Sequence, residues 1–149
     1  MPTPSTFYTF YRDLGRAVMN LNTDTISVAL SNVAPDITSN AILGDITQIS
    51  AGNGYTTGGY NLANVGYGLD NGVAVLVADD LEIAASGGTM ATWRYAVYYD
   101  NTPTSPVDPL IAVLDVGEAI SLANGESRTL DHDPIEGIVR VGAGSIFSI

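Results

Sequence analysis

Apolar residues near the start of the chain recur three and four positions apart, which is the spacing of one face of an α-helix. Ser5 or Thr6 can cap the N-terminus of such a helix. We therefore expect residues 1–22 to form a helical segment that packs on, or extends from, the rest of the protein. The apolar stripe consists of Phe7, Phe10, Tyr11, Leu14, Val18 and Leu21.

After Asp24 the hydrophobic period changes from helical spacing to strict alternation. Residues 25–30 alternate in the way that is typical of a half-buried strand. Residues 37–49 mix helical spacing with β-branched residues, so we expect a short helix or turn there. Residues 51–60 are rich in glycine and predict a loop with positive φ angles.

The second half of the chain predicts short strands that alternate with turns. In residues 90–99 the alternation puts Trp93 on one face with Tyr95, Val97 and Tyr99. Residues 119–130 predict a hairpin closed at Asn124-Gly125. With at least six strands and one helix, the expected fold is mainly β: an antiparallel, jelly-roll-like sandwich or barrel with an N-terminal α-helix. Further strands are predicted at 73–78, 81–84, 110–116 and 138–141.

Length and charge restrict the classes of protein to consider. The 149 residues suit one domain, which we expect to span 1–149, with a hydrophobic core of its own. Five basic residues, all arginine, against 16 acidic residues give a net charge of −11. Scattered arginines cannot build a phosphate-neutralising surface, so we expect neither nucleic acid nor a membrane as partner. No secretory signal is visible at the N-terminus, which favours synthesis in the cytoplasm.

Candidate catalytic groups are few. The one histidine lies between two carboxylates, in Asp131-His132-Asp133, but Pro134 follows at once and favours a surface turn. The carboxylates at 79–82 do not match a calcium-binding loop, and no Gly-x-Ser-x-Gly elbow occurs. The chain has no cysteine. We therefore expect no catalytic residue, no metal and no cofactor, and interpret the protein as a non-enzyme.

Aromatic residues give a more useful indication. The chain contains eight tyrosines but only 14% charged residues. Amphipathic aromatic side chains are enriched at the centres of protein interfaces. Several tyrosines are expected in loops, at element ends or on a face opposite the core, which favours self-association or a protein partner: Tyr8, Tyr55, Tyr60, Tyr67, Tyr98 and Tyr99.

Several stretches, which follow one another in a single order over most of the chain, resemble a family of small structural proteins from the virions of tailed bacteriophages. The resemblance lies in the aromatic segment at 7–10, residues 24–35, residues 45–56 with Gly-Asn-Gly-Tyr-Thr, residues 94–100 with Arg-Tyr-Ala-Val, and residues 108–111 and 122–126. It implies a virion structural component and carries no catalytic residues.

This resemblance implies a capsid decoration, or cement, protein on the outer surface of the icosahedral head. Such a protein would be made in the cytoplasm of the bacterial host, bind the phage major capsid protein and form a homotrimer. The expected contact residues are Phe7, Tyr8, Phe10, Tyr11, Tyr55 and Tyr60. Two alternatives remain open: a head-fibre base, neck or tail component, and a carbohydrate-binding β-sandwich that uses an exposed Trp93 or the tyrosines.

Overall fold

The computed structural model describes residues 4–142, and the chain in this range is mainly β, as predicted. A 3-10 helix, Leu43–Asp45, lies in the segment for which a short helix or turn was predicted. The other elements are β1 (Ser5–Thr6), α1 (Tyr8–Gly15), β2 (Ile26–Ser31), β3 (Tyr60–Asn61), β4 (Gly66–Asp70), β5 (Val73–Val77), β6 (Leu81–Ala84), β7 (Trp93–Asp100), β8 (Leu110–Ile120), β9 (Ser127–Leu130) and β10 (Val139–Gly142).

All the strand pairs are antiparallel and form three sheets in this part of the chain. The five-stranded sheet has the order β1-β8-β7-β2-β3, and the three-stranded sheet has the order β10-β5-β4. Strands β6 and β9 form a two-stranded sheet. The fold thus agrees with the expected antiparallel β class with an N-terminal helix.

The large sheet is covered on both faces. One face packs with the two smaller sheets around a cluster that includes Leu30, Leu76 and Ile83. A second cluster on the other face contains Phe7, Leu43 and Val97. Strand β2 is therefore buried at every position, and the half-buried strand predicted there is corrected.

The N-terminal helix is shorter than the predicted segment 1–22. Ser5 and Thr6 do not cap it but form β1, which pairs with β8. The helix ends after Gly15, and Ala17 has a φ of 59°, a left-handed value that stops helical propagation. No helix among residues 4–142 is both long and apolar enough to cross a membrane.

Strand β7 keeps the predicted alternation from Tyr95 to Tyr99 but not at Trp93. Its register with β8 shifts between Trp93 and Tyr95, as in a β-bulge. Trp93 consequently packs in the same cluster as Tyr98, whereas Tyr95, Val97 and Tyr99 share the opposite cluster. The predicted common face of Tyr95, Val97 and Tyr99 is therefore confirmed, and the assignment of Trp93 to it is corrected.

The hairpin predicted at 119–130 does not form. Its first arm continues β8, where Ile120 pairs with Trp93, and β9 pairs with β6 in another sheet. Asn124-Gly125 does make a turn, in which Glu126 N–H donates to the Ala123 carbonyl over 2.9 Å. The turn signal was right, but the two flanking segments find partners that are distant in sequence.

Candidate contact surface and adjoining cleft

The expected contact residues of the N-terminal segment divide between core and surface. Phe7 and Phe10 are fully buried, whereas Tyr8 is 62% exposed and Tyr11 is 44% exposed. Within α1 the buried residues are Phe10 and Asp13, three positions apart on one side, whereas Tyr8 and Tyr11 lie on another side. Phe7 precedes the helix in an extended conformation and packs in the second cluster. The structure corrects the assignment of Phe7 and Phe10 to a contact surface, since packing on the sheet leaves neither accessible.

Hydrogen bonds attach the segment that carries the exposed tyrosines to the rest of the fold. Phe7 N–H donates to the Ile111 carbonyl over 3.0 Å, and Tyr8 N–H donates to the Ile37 carbonyl over 2.9 Å. The Tyr11 hydroxyl lies 2.9 Å from Oγ1 of Thr6. Backbone pairing before the helix therefore holds Tyr8 and Tyr11 in place, together with the buried side chains of Phe7, just before the helix, and Phe10, within it. We call these two exposed side chains the tyrosine pair.

The second expected contact element, the loop at 51–60, is tied to the core instead. Tyr55 is 2% exposed, and its hydroxyl donates to Oε1 of Gln48 over 2.6 Å while accepting from Leu30 N–H over 3.1 Å. Burial raises the pKa of Tyr55 to about 12. Gln48 Oε1 also accepts from Gly58 N–H over 2.8 Å. Tyr55 therefore organises the loop from inside and is corrected as a contact residue.

Tyr60 is only partly exposed. Its hydroxyl donates to the Gly54 carbonyl over 2.9 Å, and its ring packs edge-on against Tyr55. Desolvation by burial raises the pKa of Tyr60. Its remaining surface is therefore small, and the tyrosine pair carries most of the exposed aromatic area among the expected contacts.

A cleft of about 690 Å³ adjoins the tyrosine pair. It lies between the N-terminal segment, which contributes Thr6 and Tyr11, and the chain from Asp131 to Arg140. Tyr98 and His132 also line this cleft. Sequence reasoning missed it, because its two walls are more than a hundred residues apart in the chain and meet only through sheet packing.

His132 was expected in a surface turn, but it is buried and only 7% exposed. Its Nδ1 lies 2.9 Å from the Asp79 carbonyl, which can only accept, so Nδ1 carries the hydrogen. Its Nε2 lies 2.7 Å from the Tyr98 hydroxyl. Both ring nitrogens of the imidazole therefore have partners within the protein.

The flanking carboxylates do not join His132 in a catalytic group. Asp133 accepts from the backbone N–H of Ile135 and of Glu136, which lowers its pKa and makes it a turn-forming residue. His132 N–H instead donates to Asp80 over 2.7 Å. Within residues 4–142 no group of three or more histidine or acidic side chains could hold a metal ion.

The other tyrosines and the tryptophan are mainly internal. Tyr98 and Tyr99 are buried, although both were expected at a strand end or opposite the core. Trp93 is fully buried in the main cluster, so it cannot serve as the exposed platform that the carbohydrate-binding alternative required. The bulge in β7 that turns this side chain inward is the physical reason.

Comparison of the chain with family models, with curated proteins and with solved structures finds no match.

Proposed function

We propose that this protein is a bacteriophage capsid decoration protein, which binds the phage major capsid protein on the outer surface of the head and strengthens contacts between its subunits. We further propose that it acts as a homotrimer. The observation that carries the proposal is the tyrosine pair, 62% and 44% exposed on a helix that Phe10 anchors in the core.

The physical argument concerns preorganisation. Tyrosine offers a large apolar area with few rotatable bonds and a hydroxyl that finds a partner, which is why it anchors protein interfaces. Here the burial of Phe10 in the helix and of Phe7 just before it holds the helix in place, so docking of Tyr8 and Tyr11 would order little additional chain. A small contact, repeated in many copies on a shell, would then have to break before internal pressure opens the head.

Charge supports an external position. The net charge of −11 would repel packaged DNA, whereas the outside of a shell imposes no such conflict. Arg12 on α1 pairs with the buried Asp13 at 3.1 Å, whereas Arg16, just after the helix, is exposed. The end of the helix thus offers a cationic group near the tyrosine pair on an otherwise acidic protein.

Co-sedimentation with expanded, undecorated capsids of the parent phage tests the proposal. We expect the wild-type protein to pellet with the shells, and the double variant Tyr8→Ala/Tyr11→Ala to bind at least about tenfold more weakly, as for loss of interface anchors. Val107→Ala, at a site 50% exposed and remote in sequence, is the control for removal of surface apolar area. Wild-type protein that stays in the supernatant contradicts the decoration role, and undiminished binding of the double variant contradicts the contact surface.

Point variants are preferable to truncation. Deletion of residues 1–12 would remove Phe7 and Phe10 from the core and β1 from the edge of the large sheet, so it would unfold the domain rather than test contact.

The copy number in purified virions distinguishes a head decoration protein from a neck or tail component. Abundance comparable to that of the major capsid protein fits decoration, and a few copies per particle fit a neck or tail component.

A further inference from the structure

Strand β4 is an edge of the three-stranded sheet, and its outer side carries hydrogen-bonding groups that have no partner within residues 4–142. Asn71 and Gly72 form a two-residue turn between β4 and β5, with φ angles of 51° and 81°. In such a hairpin the flanking residues, Asp70 and Val73, exchange hydrogen bonds, and the next pair along does not. The backbone groups of Leu69 therefore point away from β5.

Two other hydrogen bonds agree on which residues of β4 face the outer edge. Ile138 N–H donates to the Leu76 carbonyl over 2.7 Å, so Leu76 faces β10, and its partner Tyr67 must face the outer edge. Tyr67 N–H does so, since it donates to Oδ1 of Asn22 over 3.4 Å. No other group in residues 4–142 pairs with the N–H or carbonyl of Leu69. Leu69 is thus the position at which this edge is open.

Two apolar side chains are exposed beside this edge. Leu69 is 81% exposed and Ile135 is 66% exposed, and both line a groove of about 260 Å³ that Val77 and the buried Val75 also line. Edge strands are usually protected by lysine, proline or a bulge, and β4 has none of these within its range.

We propose that β4 is a self-association surface, at which a second copy of this chain adds its own β4 antiparallel about a two-fold axis centred on Leu69. The two Leu69 residues then exchange N–H to carbonyl hydrogen bonds, and the two small sheets become one six-stranded sheet. An antiparallel edge is its own complement, which is why a second copy fits it.

Charge and size also fit this register. Pairing about Leu69 puts Asp70 of each copy opposite Gly68 of the other, so the carboxylates do not face each other and the glycine leaves room for the side chain. Asp70 is the acidic residue of β4, and its charge is compensated within its own copy by Arg140, at 3.1 Å. The approach of two edges therefore meets little repulsion, although the whole chain carries −11.

This pairing is a two-fold contact, independent of capsid binding and of any three-fold association. Light scattering coupled to gel filtration, without capsids, measures it through the mass of the particle, for which one chain contributes 15.5 kDa. We expect the mass to rise toward an even number of chains as concentration is raised roughly a hundredfold, in accordance with mass action. A mass that stays at one or three chains over that range overturns the proposal.

Leu69→Pro tests the hydrogen bonds directly. Proline removes the outward N–H but takes nothing from the β4–β5 ladder, and edge strands accept it at such positions. We expect this variant to keep the circular dichroism spectrum of the wild type and to halve the limiting mass. An unchanged mass overturns the proposal.

If Leu69→Pro does not fold, Leu69→Lys tests the β4 pairing instead, because a lysine on the edge blocks pairing through charge and desolvation. Val107→Lys, which adds the same charge at another exposed apolar site, is the matched control and should keep the wild-type mass. Equal masses for the wild type and Leu69→Lys overturn the proposal. Since neither variant alters the tyrosine pair, failure here leaves the capsid co-sedimentation result intact.

Discussion

The hydroxyl of Tyr98 lies 2.7 Å from Nε2 of His132, and both side chains are buried. Nδ1 of His132 donates to the Asp79 carbonyl, and in this Nδ1–H tautomer Nε2 accepts from the Tyr98 hydroxyl. Burial raises the pKa of Tyr98, which keeps this hydroxyl protonated. The pair joins β7 of the large sheet to the segment that leaves β9, so it links two layers of the fold.

Tyr98→Phe should therefore destabilise the protein. The variant keeps the ring but leaves Nε2 as a buried acceptor without a donor, which costs about 1–3 kcal/mol. Urea denaturation followed by tryptophan fluorescence measures the change. Tyr8→Phe, which removes a hydroxyl from a side chain 62% exposed, is the control and should stay within about 0.5 kcal/mol of the wild type. Equal losses in both variants would show that the Tyr98 hydroxyl does not pair with His132.

His132 shows what local sequence could and could not predict. The proline after Asp133 correctly indicates a turn, and Asp133 accepts two backbone N–H groups within it. Nothing in that tripeptide reveals that Tyr98, more than 30 residues earlier, supplies the partner of the imidazole. Burial depended on how the layers meet, and neither the period of the sequence nor its turn signals contain that information.

Asp100 is a buried carboxyl group at the end of β7. Burial, together with the nearby carboxyl of Asp24, raises the pKa of Asp100 to about 8. Asp108 adds a smaller repulsion. Thr102 N–H donates to Oδ1 of Asp100 over 3.1 Å, whereas Oδ2 has no hydrogen-bond partner within residues 4–142. At neutral pH Asp100 therefore holds a proton.

The raised pKa of Asp100 predicts an unusual pH dependence. A raised pKa means that the folded state keeps a proton that the unfolded chain releases, so stability falls as the pH rises from about 4 to about 8, by at most about 1.4 kcal/mol per pH unit. Asp100→Asn should remove this slope and stabilise the protein above pH 7, because the neutral amide leaves no buried charge at this site. Urea denaturation at pH 5, 7 and 9 measures the difference.

Asp115→Asn provides the control for that series. The Arg94 guanidinium beside Asp115 lowers the pKa of this exposed carboxyl, so its contribution is lost only as the pH falls below the ordinary range of aspartate. Between pH 5 and 9 the difference between Asp115→Asn and the wild type should stay constant. A constant difference for Asp100→Asn as well would contradict the raised pKa of Asp100.

Tyr55→Phe distinguishes a core role from a contact role for the loop at 51–60. Loss of the hydroxyl removes the acceptor of Leu30 N–H and the donor to Gln48, with a cost of about 1–3 kcal/mol. Amide exchange in residues 52–59 should become faster, since Gln48 also holds Gly58. Tyr60→Phe, whose hydroxyl is more exposed, should change both quantities less. The reverse order would restore the loop as a surface element.

The strands themselves were largely predictable, and their pairing was not. Residues 81–84 and 73–77 form strands where β-branched and alternating residues predict them. Strand β4 was missed because Gly66 and Gly68 dilute the strand signal, although Asn71-Gly72 beside it is a strong hairpin sequence. The bulge at Trp93 and the separation of β8 from β9 depend on the packing of distant strands, which local patterns do not contain.

Gly59 is a position in the glycine-rich loop at which a side chain would collide with the backbone of β2. Its φ is 80°, and a Cβ there would lie 1.8 Å from the Val28 carbonyl oxygen, because β3 brings the loop against β2. Gly59→Ala should therefore cost more than about 2 kcal/mol through backbone strain and displacement. Gly15→Ala, in α1 with no atom within 4 Å of the added carbon, should instead stabilise by up to about 1 kcal/mol. Urea denaturation of both variants compares them, and a Gly59→Ala variant as stable as the wild type would show that the loop does not rest on β2.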